Sequence, residues 1–215
     1  MSLIVPRVLV GPGLVGSSDF RTKLDAEVLL ALEIYCRHRV HVSDQGGHQA
    51  SVSRSADVGS TDELILTGVA VPFEGPCRLG GWVLQVAGIP VHVTEASATA
   101  GPGVIAGIND RDPASDPEEP IPDRGAWVRV RGNVSVADGY VVDEVEQALQ
   151  RSVQRLWRVH RIVRLVPTGY RNGMQHTRPQ EVEAIRHTRD ASSYLLDLVA
   201  PVTDTAVQDV PDQAH

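Results

Sequence analysis

Residues 126–144 read AWVRVRGNVSVADGYVVDE. Trp127, Arg129 and Arg131 alternate here with Val128 and Val130, the period of two that a half-buried strand requires. One face of this strand is apolar, and the other carries a tryptophan beside two arginines. Asn133 and Gly139 mark expected bends or bulges. The β-rich pattern reads on to Glu144, and Asp143 is the expected cap of a helix. In that helix Val145, Leu149, Val153 and Leu156 form an apolar stripe, with Arg151, Arg155 and Arg158 on another side.

Working outward, VHRIVRLV (159–166) reads as a strand, 167–179 as a long turn region, and 181–187 and 192–199 as closing strands. Upstream, ELILTGVAVPFEG (63–75) is β-rich with Gly68 inside it. GWVLQVAGIPVHV (81–93) reads as a hairpin turning at Ala87-Gly88. Residues 43–62 are polar and rich in Ser and Gly, the composition of a loop or weak hairpin. At the start, IVPRVLV (4–10) reads as a strand, with Pro6 arguing for an edge or a strand start. Ser17, Ser18 and Asp19 are N-cap candidates. Phe20, Leu24, Val28, Leu32 and Tyr35 then recur at helical spacing, with an extended segment from Arg39 to Val42. The chain thus opens as strand–helix–strand.

Length and composition bound the class. The chain has 215 residues, 42% hydrophobic and 22% charged, as in an ordinary globular protein. Residues 1–200 read as one compact domain. Residues 109–124 form an acidic, proline-rich loop and 201–215 a flexible tail. No apolar run is long enough for a membrane span, and the first residues lack a secretory pattern, so the expected location is cytoplasmic. Cys36 and Cys77 are too few for a disulfide framework and read as reduced thiols. Net charge is −7, unevenly spread: residues 41–123 balance at −9 and residues 124–190 at +5. Of the 20 basic residues only Lys23 is lysine, and arginine brings planar, bidentate contacts to carboxylate or phosphate.

The stretches LILTGVAVPFEG, WVLQVAG, IPVHV and AWVRVRGNVSVADGYVVDE together resemble an OB-fold, a small five-stranded Greek-key barrel. Gly68 or Gly75 sits where the long first strand of such a barrel bends. Ala87-Gly88 matches the turn between its second and third strands. Val128, Val130 and Gly132 match a later V-x-V-x-G strand. The resemblance covers about residues 62–145. It implies an α+β, β-rich protein: a central OB-like antiparallel barrel, an N-terminal strand–helix–strand and a C-terminal helix-plus-strands extension. The additions are large enough to bury one barrel face.

OB-folds commonly bind single strands through a basic groove and stacked aromatics. The leading expectation is therefore a non-enzymatic binding module for single-stranded nucleic acid. Its ligand-binding residues would be Trp127, Arg129, Arg131 and Trp82, with Arg151, Arg155 and Arg158 adding phosphate contacts. The alternative is a protein-interaction or oligomerisation module, with a protein partner or a homo-oligomer. The third reading is a nucleotide-cofactor enzyme. Gly11, Gly13 and Gly16 fit G-x-G-x-x-G after a strand. However, the expected helix start near Ser18 follows the last glycine, and Asp44 lies 28 residues beyond Gly16, later than the usual roughly 20. The glycines read instead as a turn needed by the backbone, so no cofactor is expected. His38 and His41 point to opposite faces of an extended segment, and no metal site is expected.

Overall fold

The computed structural model describes residues 2–17, 20–43, 51–54, 63–95, 120–171, 174–186 and 192–201. All of the expected tail beyond Pro201, residues 109–119 of the acidic loop and most of the Ser/Gly-rich stretch lie outside these residues.

The chain opens with β1 (Ser2–Val10) and a short helix, α1 (Pro12–Ser17). Pro6 sits inside β1 because the pairing register shifts between Val5 and Val8. An irregularity of this kind tolerates a residue with no donor. Arg7, at φ 56°, donates its backbone N–H to Asp197 Oδ1 at 2.8 Å instead of to the ladder. The expected amphipathic helix over residues 20–35 does not form. This segment is extended: β2 (Thr22–Lys23), β3 (Glu27–Leu30) and β4 (Leu32–His41). Its decisive pattern is the alternation of buried Leu30, Leu32, Ile34 and Cys36. Leu24 is 37% exposed and Leu29 59%, so the helical stripe is not the buried one. Long-range backbone bonds override the local propensity: Leu24 N–H donates to Glu183 O, and Asp25 N–H to Val159 O at 2.8 Å.

Next come β5 (Ser51–Arg54), β6 (Glu63–Val71), β7 (Trp82–Val86) and β8 (Ile89–Glu95). The expected hairpin joins β7 to β8 through Ala87 and Gly88, both at positive φ, 47° and 82°. This is the turn chemistry whose twist matches paired strands. The opening stretch becomes β9 (Trp127–Val136), with Val128, Val130, Val134 and Val136 buried. The strand stops earlier than its composition suggests. Asp138, not Asp143, caps α2 (Gly139–Leu149), its Oδ1 accepting from Val141 N–H at 2.9 Å. The helix ends at Leu149, with Gln150 in the left-handed region. Leu156 therefore lies on a strand, where it is 47% exposed. That strand is β10 (Arg155–Arg171), followed by β11 (Met174–Glu181), β12 (Ala184–Ile185) and β13 (Ser193–Pro201). The expected turn region 167–179 is thus mostly the two arms of a β10–β11 hairpin.

Among the described residues eleven strands make one sheet, ordered β11-β10-β13-β1-β9-β4-β8-β7-β6-β5, with β3 beside β10. A further pairing of β9 with β6 rolls β9, β4, β8, β7 and β6 into a closed five-stranded barrel. The expected barrel was antiparallel and confined to residues 62–145. Its fifth strand is β4, from the segment read as a helix, and β4 runs parallel to β8. The barrel is therefore mixed. A continuous core fills it and extends under the open sheet, where Trp157 is fully buried and donates Nε1–H to Leu30 O at 3.2 Å.

Two glycines fit this closure. A Cβ on Gly132 would overlap the Tyr35 carbonyl oxygen of β4 and lie 2.8 Å from its carbon. At Gly68, where β6 crosses β7, a Cβ would lie 2.9 Å from the Gln85 carbonyl carbon. Gly132→Ala is expected to cost about 2–3 kcal/mol, because the obstructing atoms are backbone. Gly16→Ala, at a helical position with open space around it, should be neutral or stabilising by up to about 1 kcal/mol. Urea unfolding of both variants checks the pair; equal effects would refute the packing account.

Candidate functional site

The outward side chains of β4, β9 and β6 form one surface, because paired residues share a face. Arg129 lies between Val40 and Thr67, Arg131 between His38 and Ile65, and Asn133 between Tyr35 and Glu63. Trp127 pairs with Val69 at the end of the row. Val128 and Val130 point inward as the alternation predicts. Arg129 is exposed; Trp127 and Arg131 are half-buried.

Beneath this surface sits a carboxylate that sequence reasoning missed. The Glu63 side chain is only 3% exposed; its Oε2 accepts from Arg131 Nε at 2.5 Å and its Oε1 lies 3.2 Å from Arg37 Nη1. Arg37 is the unpaired residue of a bulge between Cys36 and His38, and a bulge re-aims its side chain. No sequence pattern announced the bulge. Glu63 fixes two guanidiniums in place, and a charge so deeply placed needs such partners.

The other expected site residues lie elsewhere. Trp82 is fully buried inside the barrel. Its Nε1–H donates to Glu95 Oε1 at 2.7 Å, and Arg39 pairs with that same oxygen while donating to Pro120 O at 2.7 Å. This cluster plugs the interior, so Trp82 is not a stacking platform. The apolar side chains of Leu3, Val5, Leu32, Leu66, Ile89 and Val134 enclose a small void elsewhere in the core, leaving the barrel packed. Arg151 follows α2, while Arg155 and Arg158 sit on β10, which β13 and β1 separate from β9. Arg155 donates to Ser152 O and Gln154 O at 3.1 and 2.7 Å, so it braces its own turn. These three arginines and the β9 pair do not form one site.

The outer face of the β7–β8 hairpin is covered. Val83 packs with Ala137, Val142, Val145 and Leu149 of α2 and its approach, and Val71 and Phe73 close over the cluster. His92 is buried here, its Nε2 3.2 Å from Gly80 O. Burial pushes its pKa below the ordinary 6.5, against the smaller opposing effect of that hydrogen bond. In the neighbouring register position Glu33 accepts from Ser135 Oγ at 3.0 Å. Burial raises the pKa of its carboxyl.

Around Gly11, Gly13 and Gly16 the cofactor fingerprint loses its context. α1 starts at Pro12 and contains two of the glycines, and β1 is flanked by antiparallel β13 and by β9, with no βαβ unit among the described residues. A Cβ on any of the three would meet nothing within 4 Å, and none has a positive φ. The expectation that they are backbone necessities is therefore corrected: residues with side chains fit there. Comparison with protein-family models, curated proteins and solved structures finds no match to this chain. Among the described residues no three His, Cys, Asp or Glu side chains are grouped to hold a metal ion, and no helix is long and apolar enough to cross a membrane.

The buried histidine sets a pH dependence. Above about pH 6.5 His92 is neutral both folded and unfolded. Below that the unfolded state binds the proton more readily, so stability falls with falling pH. The raised Glu33 carboxyl acts in the opposite sense, gaining stability as pH drops through its folded pKa. Urea midpoints between about pH 7.5 and 5.5 should therefore decline in the wild type and decline less in His92→Gln. An identical slope in the two proteins would remove His92 from the account.

Proposed function

We propose that this chain is a cytoplasmic, non-enzymatic binding module whose open barrel face, built by β4, β9 and β6, takes single-stranded nucleic acid. The observation that carries the reading is the grouping of Arg37, His38, Arg129 and Arg131 on adjacent strands beside Trp127, with Glu63 holding two of the guanidiniums from below. Such a surface offers donors to phosphate and an aromatic edge to bases. The closed, mixed five-stranded barrel is compatible with an OB-type barrel in which the strand beside β8 is supplied from the front of the chain. In that reading the face most used by such barrels, that of the second and third strands, is β7–β8. Here α2 covers it, and the ligand surface moves to the neighbouring strands.

Fluorescence anisotropy with labelled oligonucleotides tests this. Binding should weaken steeply with salt, and Arg129→Ala should cost roughly fivefold in affinity and lower the salt slope by about 0.7. Arg129 is the cleanest probe because it is exposed and has no role in holding Glu63. No binding at about 50 mM salt would sink the reading.

A further inference from the structure

Among the described residues the buried apolar side chains fall into two clusters. The large one fills the barrel and runs under the open sheet. The small one lies outside the barrel, where Val142, Val145 and Leu149 of α2 rest on Val83, with Val71 and Phe73 packed against them. An element held by so small a cluster belongs to the class that opens locally while the rest of a fold stays closed.

Residues 72–81, which connect β6 to β7, tie α2 to the hairpin. Glu74 and Gly75 donate their backbone N–H groups to Ala148 O at 3.2 and 3.1 Å, and Arg78 N–H donates to Glu144 Oε2 at 3.2 Å. At the other end of the connection, Gly80 O meets His92 Nε2. A carbonyl only accepts, so Nε2 carries the ring hydrogen and Nδ1 is a bare lone pair. His92 is 4% exposed, and its Nδ1 has no partner. The connection lies tightly on the imidazole: a Cβ on Gly81 would overlap Val93 O and sit 3.1 Å from His92 Nε2.

A second ring proton would go to Nδ1, where nothing accepts it. Gln85, diagonal to His92 across the hairpin, makes it no bond. The Phe73 ring, tilted and 6.0 Å away by centroid, is at the far limit of a cation–π contact. Glu33 is registered beside His92 on β4 but accepts from Ser135 Oγ. Burial raises the pKa of that carboxyl, so it loses its own charge as pH falls. Around the site, Cys77 lies in the connection, Arg78 engages Glu144 of α2, and Asp138 caps the helix. An imidazolium here is a buried charge without a partner, and such a charge is costly until water reaches it.

We infer that residues 72–81 and α2 form a cap that protonation of His92 opens, uncovering the outer face of the β7–β8 hairpin. The opening needs no nucleic acid. It stands whether or not the face of β4, β9 and β6 binds one, and it leaves that face in place on the large core.

Native-state hydrogen exchange on the full chain between about pH 7.5 and 5.5 is the test. After correction for intrinsic rates, α2 amides should lose up to about tenfold in protection, the limit when the open histidine titrates near 6.5 and the closed one lower. At pH 5.5 they should exchange at least about tenfold faster than β9 amides and respond little to low urea, the marks of partial opening. In His92→Gln, whose amide stays neutral, protection should hold to within about twofold, whereas Glu33→Gln should still open. Wild-type protection that is constant or rises as pH falls overturns the inference. So does a loss that survives in His92→Gln, or one that α2 and β9 share in size and urea dependence, which is global unfolding. Imidazole NMR of the wild type needs no variant: a His92 protonated while α2 amides keep their full protection also overturns it.

Discussion

A strand has two edges, and the architecture follows from how β9 divides its own. One edge is given to β4 from Val128 to Val136. The other is shared: Trp127 to Asn133 pair with β6, and Ser135 meets Leu9 of β1. The first pairing closes the barrel; the second joins the barrel to the open sheet of β1, β13 and β10. The backbones of β9 and β4 come so close at Gly132 that a side chain has no room. The same alternation along β9 places valines in the core and arginines outside, so one ten-residue segment sets both the closure and the candidate surface.

The additions to the barrel then decide which surface is available. α2 lies over the β7–β8 face and makes it part of a second small core. The ion pairs with a deeply buried member separate into two kinds. Arg39 and Glu95 pair inside the barrel with the Trp82 indole, where their role is to fill and satisfy the interior. Glu63 instead sits just under the outer surface and holds arginines that face outward. The first kind stiffens the scaffold, and the second presents charge.

Much of this was legible in the residues. The strands of 63–71, 82–86, 89–95 and 127–136 follow from period-two alternation, and the Ala87-Gly88 turn from its composition. The C-terminal helix followed by strands was also readable. The segment from Phe20 to Tyr35 was not, because its apolar residues satisfy both a period of 3.6 and a period of two; only pairing to β8, β9 and β10 resolves the ambiguity. That error hid the fifth barrel strand and the parallel pair. At the candidate surface, Arg129 and Arg131 were legible as a strand face. Arg37 was not, since it depends on a bulge, and Glu63 was not, since its partners lie 26 and 68 positions away. Trp82 and Trp127 look alike in sequence, yet the first is fully buried and the second only half-buried.

The pairing of Ser2 with Pro201 and of Leu9 with Leu195 has a consequence for how the chain comes together. β1, the earliest of the described strands, has its main partner in β13, the latest of them. Likewise β4 cannot be enclosed until β9, about a hundred residues later, has been made. Contacts this remote in sequence are slow to form, because their loops must close before any pairing rewards it. The β6–β7–β8 hairpins are local and can form early. β1 and β4 must wait as unpaired edges while their later partners are made, and that interval exposes them to misassociation before the fold is complete.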